Sequence, residues 1–462
     1  MKSSKKSKAI IRAIMLAVCC AVATGTSAQT ADSNEQLKSE VAKLKQIVEQ
    51  QQSVLDQLLA AKQKQQTVSV EQLAAQPAPA PAPGLLAGWS NNRPGLRSAD
   101  GRYELNIGGF GHFDYRGYES GNHPPNTFVI RRVRLFVEGK LDKYFDYKVE
   151  ADFADTTSTP LRDGWVRIHR FEALQFQFGQ FKEPFSQEEL RSDQVQDFVE
   201  RSMANNLAPS RSPGFMVNGV IGKGLFEYQA GLFNGKGILT SDSNGTPETV
   251  ARIRLTPFKR TKNDWVNAFS FGAAAASGRN AGNNVLGIKG QTESKSMTFV
   301  APDTVSGSYY RANGEATWVK GPAAIRSEYD YVSQSRTGLG QAGSNLADVS
   351  STGFATQATY LLTGERKSDI GAVVPKSGLF STDGKGLGAW ELKFRYSFLD
   401  VNDQTAKSNR ASTYLFGANW YMNRFVKNVL DVGVEHYRDP ARTPNPGEQN
   451  YLVVMNRIQV AF

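Results

Sequence analysis

The chain has 462 residues, with 54 Lys and Arg against 44 Asp and Glu, a formal charge of +10, and two cysteines. A mean hydropathy of −0.42, and no run beyond the first 28 residues that reaches the roughly 18 apolar residues of a spanning helix, exclude a helical membrane protein. Cys19 and Cys20 both fall within an N-terminal leader, so the remainder of the chain has no thiol for a disulfide framework or a thiolate metal site.

The leader comes first. Lys2, Lys5, Lys6, Lys8 and Arg12 precede or open an apolar run from Ala9 to Ala23, and small residues continue through Thr26, Ser27 and Ala28. This pattern predicts a secretory signal peptide over 1–28. Leu16-Ala17-Val18 ahead of Cys19 is a poor lipoprotein cleavage box, so lipidation is not expected. Loss of five leader cations brings the charge down to about +5, which argues against a nucleic-acid partner. Over 29–75, Leu37, Val41, Leu44, Val48, Gln51, Leu55 and Leu58 alternate spacings of four and three. That is a heptad seam, predicting a self-associating coiled-coil helix in the periplasm; so short a seam does not set the oligomer order. A Pro/Ala-rich linker is expected over 76–101, opening with the stiff QPAPAPAP of Gln76–Pro83.

From 102 to 462 the period is two. Phe145, Tyr147, Val149, Ala151 and Phe153 alternate with Asp146, Lys148, Glu150 and Asp152, and Leu392, Phe394, Tyr396 and Phe398 alternate with Lys393, Arg395 and Ser397. One side of each strand is greasy and the other ionic, as a wall between lipid and a wet lumen requires. Sixteen such strands can be marked, from 103–116 to 450–462, and the intervals between them alternate short and long. The expected fold is all-β: a closed antiparallel transmembrane β-barrel preceded by a short coiled coil. Two intervals are oversized, 182–213 and 364–386, and these are expected to fold inward and narrow or cap the lumen, a flexible surface excursion being the alternative. The last strand carries Leu452, Val454, Ile458 and Val460 on one face and ends on Phe462, a terminal aromatic that resembles the signal read by the barrel-assembly machinery of the bacterial outer membrane.

Several ordered blocks carry a family resemblance. Arg131-Arg132-Val133-Arg134-Leu135-Phe136-Val137-Glu138-Gly139, Gly179-Gln180-Phe181-Lys182-Glu183-Pro184-Phe185 with Glu188-Glu189-Leu190, Phe198-Val199-Glu200-Arg201-Ser202, Tyr360-Leu361-Leu362-Thr363-Gly364-Glu365, and Gly388-Ala389-Trp390-Glu391-Leu392 through Arg395-Tyr396-Ser397 resemble the phosphate-selective porin O/P family over roughly 108–462. The resemblance implies a trimeric sixteen-stranded barrel in which inward loops and a periplasmic turn form an eyelet, and lumen arginines lead anions through.

The candidate residues are set by the chemistry. A hydrated phosphate that sheds water needs donors of matching geometry, which planar guanidinium groups supply, and each site must stay weak enough to release the ion. Arg132 and Arg134 share the inner face with Glu138, whereas Arg131 falls on the outer register, where it either snorkels or turns inward; the family pattern places the Arg131-Arg132 pair in the eyelet. Arg252 and Arg254 alternate with Ile253 and Leu255 and are ladder candidates, as are Arg167, Lys393 and Arg395. In the long loop, Arg191, Ser192 and Arg201 are candidates for the constriction, with Asp163 an acidic partner that orients an arginine. Pairing with lumen carboxylates such as Asp146, Glu150, Asp152, Glu328 and Asp330 is the structural alternative for every one of these cations.

No catalytic pattern is present: His112, His123, His169 and His436 are scattered without ligand spacing, and there is no G-x-S-x-G, P-loop or H-E-x-x-H. No cofactor, metal or enzymatic activity is expected. From residue 84 on, 44 cations face 38 acids, so any anion preference must come from local clustering. The expectation is a passive outer-membrane channel for anions, phosphate or polyphosphate foremost, in contact with outer-membrane lipid. The alternatives are a porin for other small anions or acidic oligosaccharides, and a barrel that tethers the envelope through its coiled coil.

Overall fold

The computed structural model describes Gln57 and residues 84–462, except 91–92, 120–123, 155–159, 243–244, 382–385, 403–407, 444 and 446. The expected signal peptide, nearly all of the expected coiled coil and the proline spacer lie outside the described residues. The strands are β1 (Leu85–Ser90), β2 (Arg93–Ser98), β3 (Tyr103–Tyr118), β4 (Thr127–Leu141), β5 (Phe145–Asp152), β6 (Leu161–Phe171), β7 (Leu174–Lys182), β8 (Arg211–Ile221), β9 (Phe226–Phe233), β10 (Glu248–Leu255), β11 (Phe269–Leu286), β12 (Gly290–Gln291), β13 (Thr298–Val300), β14 (Thr304–Lys320), β15 (Ala323–Arg336), β16 (Leu346–Leu361), β17 (Ala389–Asn402), β18 (Ser408–Tyr421), β19 (Val426–Tyr437) and β20 (Asn450–Ala461).

Sixteen of these, β3–β11 and β14–β20, form one antiparallel ring, with β11 passing to β14. The ring closes where β20 pairs with β3, from Val453↔Tyr118 to Ala461↔Phe110. Phe462 completes the seam by exchanging backbone hydrogen bonds of 3.0 Å with Gly109. Closure removes the free edges that a membrane does not tolerate, since lipid offers backbone groups no partner. All sixteen strands marked from the alternation of residues are present, and their faces follow it. On β20, Tyr451, Val453, Met455, Arg457 and Gln459 are buried inside while Leu452, Val454, Ile458 and Val460 face outward. The outer wall carries an aromatic band, including stacked Trp390 and Trp420 (5.2 Å) and stacked Trp265 and Trp318 (5.5 Å).

Within the stretch expected as linker, residues 85–98 form a hairpin instead. β20 stops opposite Gly109, so the first turn-side residues of β3 would present a bare edge; β2 pairs there, from Gly95↔Asn106 to Arg97↔Glu104, and β1 pairs with β2. The Pro and Gly content of this stretch masked a short period-two pattern, with Leu85, Trp89 and Leu96 exposed.

Short connections, 142–144, 172–173, 222–225, 321–322 and 422–425, lie at the end of the barrel that holds Phe462, together with the longer 256–268 and 362–388; the remaining connections lie at the other. Three segments fold into the lumen. The loop 183–210 crosses it: Phe185 packs with Phe181, Met216 and Phe233, while Phe198, Val199, Met203 and Leu207 join Leu399, Leu415, Val429 and Met455 on the far wall. Room for this crossing is made on β16, where a Cβ on Gly353 would lie 2.8 Å from Ala204 Cα. The turn 362–388 enters from the short-turn end, placing Lys367 and Asp369 against lumen side chains. The third, 287–303, was not singled out from the sequence. Its β12–β13 hairpin buries Thr292, Glu293 and Ser294 completely and seats Met297, Phe299 and Val300 in the same core as Phe198.

Candidate functional site

The three arginines of β4 are brought to one place by a β-bulge. Register shifts between His112 and Phe113, so that His112 opposes Arg132 and Phe113 opposes Ile130, leaving Arg131 as the extra residue. A bulge re-aims the side chain it frees. Arg131 thus turns inward, settling its two sequence alternatives, and its Nε donates to Glu200 (2.6 Å). Arg134 reaches Asp152 (2.8 Å), Glu150 (3.1 Å) and Asp193 (2.6 Å). Arg132 is held far more loosely: its Nη2 lies 3.6 Å from Asp193 and 3.9 Å from Glu200, and its buried Nε has no hydrogen-bond partner among the described residues.

The opposing carboxylates come from the crossing loop. Ser186 caps α1 (Gln187–Leu190) by accepting from Glu189 N (3.0 Å), and the amides of Gln187 and Glu188 donate to Glu328 (3.0 and 2.7 Å), which pins the loop to β15. Beyond α1, Ser192 accepts from Gln194 N (3.3 Å), shaping the turn that presents Asp193. Arg201 binds Asp193 (2.8 Å) and Glu189 (3.1 Å). Burial alone would raise the Asp193 carboxyl, but Arg132, Arg201 and Arg134 outweigh it and hold it well below the usual range. Glu200 is held down in the same way by Arg131, Arg132, Arg116 and Arg457. Asp197 fastens several elements at once, accepting from Arg191 (3.2 Å), Arg326 of β15 (3.1 Å) and Lys367 of the 362–388 turn (2.6 Å), while its carbonyl accepts from Lys393 (2.7 Å).

The other candidates are spread along the walls. Asp163 on β6 accepts from Arg211 of β8 (2.7 Å) and faces Lys148 (3.4 Å). Arg167 pairs with Asp146 (2.6 Å) towards the short-turn end. Arg252 pairs with Glu315, and Arg254 with Asp369 (2.6 Å). Lys393 pairs with Asp431 (2.5 Å), and Arg395 with Glu293 (2.5 Å) and Glu188 (3.1 Å); both flank the Phe198 ring. The structure therefore joins Arg131, Arg132, Arg134 and Arg201 in one cluster. Lys393 and Arg395 belong to the packing that anchors the loops.

Four cavities run through the lumen beside this cluster. The first, about 490 Å³ at the long-loop end, and the second, about 270 Å³, share Arg134, Asp193 and Arg211. The second meets a third of about 250 Å³ at Leu190 and Gln229, and a fourth of about 470 Å³ at Ser192; the last two share Arg191 and Ile370. Fifteen cationic side chains line these cavities against eight acidic ones. The balance is more one-sided than in the chain as a whole because other carboxylates are spent on anchoring: Glu328 on the α1 amides, Glu293 on Arg395 and Ser397, Glu435 on Tyr118 and Tyr437.

Sequence reasoning did not name Arg162, Lys182, Arg211 or Lys148 as lining residues, nor the loop carboxylates Asp193, Asp197 and Glu200. Lys148 was legible, since it shares the inner face of β5 with Glu150. Arg211 and Lys182 sit where strands meet a loop, and there period two gives no direction.

A family model for phosphate-selective porin O and P matches residues 103–462. Porin O of Pseudomonas aeruginosa is 20% identical over 414 residues, covering 79% of this chain and 90% of that protein. Among solved structures, the anion-selective porin from Comamonas acidovorans matches with a TM-score of 0.51 at 12% identity, over 78% of this chain and 100% of that one. The trimer form of OmpT from Vibrio cholerae matches with a TM-score of 0.50 at 10% identity, over 78% and 99%. At these identities the two structures bear on the fold alone.

Proposed function

We propose that this chain, which belongs to the phosphate-selective porin O and P family and is accordingly an outer-membrane porin and not an enzyme, conducts anions in preference to cations and takes phosphate or polyphosphate best. The observation that carries the reading is the excess of fifteen cationic over eight acidic side chains along the cavities. An ion entering at the long-loop end meets Arg131, Arg132, Arg162, Arg201 and Arg211 within one chamber. There it exchanges its water for guanidinium donors. Asp193 and Glu200 already occupy part of that donor field, so the ion competes with tethered carboxylates and is held weakly enough to leave. Passage ends at the short-turn, periplasmic end.

Oligomerisation belongs to the same reading: the protein is a trimer, inserted through the assembly machinery by way of Phe462, with residues 29–75 forming a periplasmic coiled coil. Single-channel recording of the purified protein in a salt gradient tests the function. The reversal potential should show anion preference, and phosphate should block chloride current. Cation preference overturns the channel reading, and chloride current indifferent to phosphate overturns the solute.

A further inference from the structure

The passage ends in a chamber of about 470 Å³ whose lining differs from the arginine cluster above it. Its charged side chains are Arg93, Arg191, Lys367, Arg424 and Lys427 with a single acidic one, Asp197. Several of these cations are already engaged: Arg93 by Glu138, Arg191 by Asp197, and Lys367 by Asp197 and Glu391. Lys427 is the exception. It is buried, donates to the carbonyls of Gln194 (3.1 Å) and Gln196 (2.9 Å), and has no ion pair among the described residues.

The same chamber also has apolar wall. The segment Ile370-Gly371-Ala372-Val373-Val374 of the inward turn lines the chamber together with Phe425. Val373 is fixed in a small core with Leu361, Ala389 and Tyr421. That anchor holds Ile370 and Val374 in place although they are 75% and 54% exposed. Exposed branched aliphatics do nothing for an ion such as phosphate, which is polar on every side, and a pocket that combines a few placed charges with apolar surface is the usual form of a small-molecule site.

We infer that this chamber binds organic anions with an apolar body, an aryl carboxylate being the simplest, with the carboxylate at Lys427 and the ring against Ile370 and Val374. The inference rests on the anion-channel reading and names a second solute class for it. Burial of a ring against two aliphatic side chains favours benzoate over acetate by tenfold or more, since each apolar carbon removed from water adds to affinity.

The test is block of chloride current through the full-length channel in planar bilayers by benzoate, acetate, phosphate and the neutral benzamide. Benzoate should half-block at a concentration about tenfold or more below acetate, and benzamide should not block. In Ile370→Ser/Val374→Ser, whose positions are exposed, the acetate-to-benzoate ratio of half-block concentrations should fall towards one. In Lys427→Met both carboxylates should weaken together. Benzoate no better than acetate, no block by either, or a ratio unmoved by the double substitution overturns the inference while leaving anion preference intact; loss of anion preference in the unaltered channel is instead the failure of the reading it rests on.

Discussion

Arg132 and Arg457 show how one residue type takes two roles in this lumen. Both are buried and both face inward. Arg457 donates two hydrogen bonds to Asp114 (2.6 and 2.7 Å), a bidentate pair, and has Glu200 3.5 Å away as well. Among the described residues Arg132 has only distant carboxylates and an Nε without a hydrogen-bond partner, and it lines the entry chamber. A charge-assisted hydrogen bond to an entering anion contributes about 1.5–3 kcal/mol. Arg132→Ala should therefore raise the phosphate half-block concentration by about tenfold or more. Arg457→Ala should change block far less, and should instead destabilise the barrel, because buried Asp114 loses two hydrogen bonds and keeps only Arg116 (2.8 Å) as its cationic partner. Block titrations alongside heat-denaturation curves separate the two; equal effects on block would mean a diffuse field and no site. Alternation along β4 had already turned Arg132 and Arg134 inward, but it could not rank them, because the carboxylates that occupy Arg134 come from β5 and from a loop distant in sequence.

At the scale of elements, the passage is shaped by what is inserted into the barrel. The 183–210 loop and the 362–388 turn were legible as intervals too long for their places. The 287–303 segment was not, because it falls at the end where long connections are expected, although it is longer than any other there but 183–210. Its hairpin fills the lumen beside β17–β20 and β3: Glu293 pairs with Arg395, the Ser294 hydroxyl bonds that of Tyr118, and Met297 and Phe299 extend the core formed with Phe198. Removal of residues 288–301 should open that side. Single-channel conductance should rise clearly above that of the intact protein, and the melting temperature should fall, because a buried apolar cluster is lost. An unchanged conductance would mean that the hairpin does not limit the passage. The bulge in β3 and β4 belongs to the same scale: strict period two sends Arg131 outward, and one irregular pairing brings it in.

For the whole molecule, anchoring and conduction draw on the same carboxylates. Asp193, Asp197 and Glu200 hold the crossing loop, and each sits well below the ordinary carboxylate range because, although burial opposes ionisation, the surrounding cations prevail. A carboxylate depressed in this way contributes stability that is fully present above its unfolded value near 4 and is lost only as pH falls through its lower folded value. The hold of these three carboxylates on the crossing loop should accordingly persist from pH 8 down to about 4 and fail only below it. Protease protection of the 183–210 loop across a pH series checks this, and loss of protection near neutrality would contradict the anchoring by Asp193, Asp197 and Glu200.

The sequence alone determined the class of the molecule: sixteen amphipathic strands, greasy and ionic by turns, have one stable arrangement in a membrane, a closed ring, because lipid leaves no backbone group unpaired. It also determined which face most of the cations take, since strand geometry ties direction to parity. Which of them remain available to a solute was decided by tertiary structure. That depends on carboxylates delivered from segments far apart in the chain, Asp193 to Arg134, Glu293 to Arg395, Asp197 to Lys367, and no local pattern records where a loop of irregular backbone will cross a barrel.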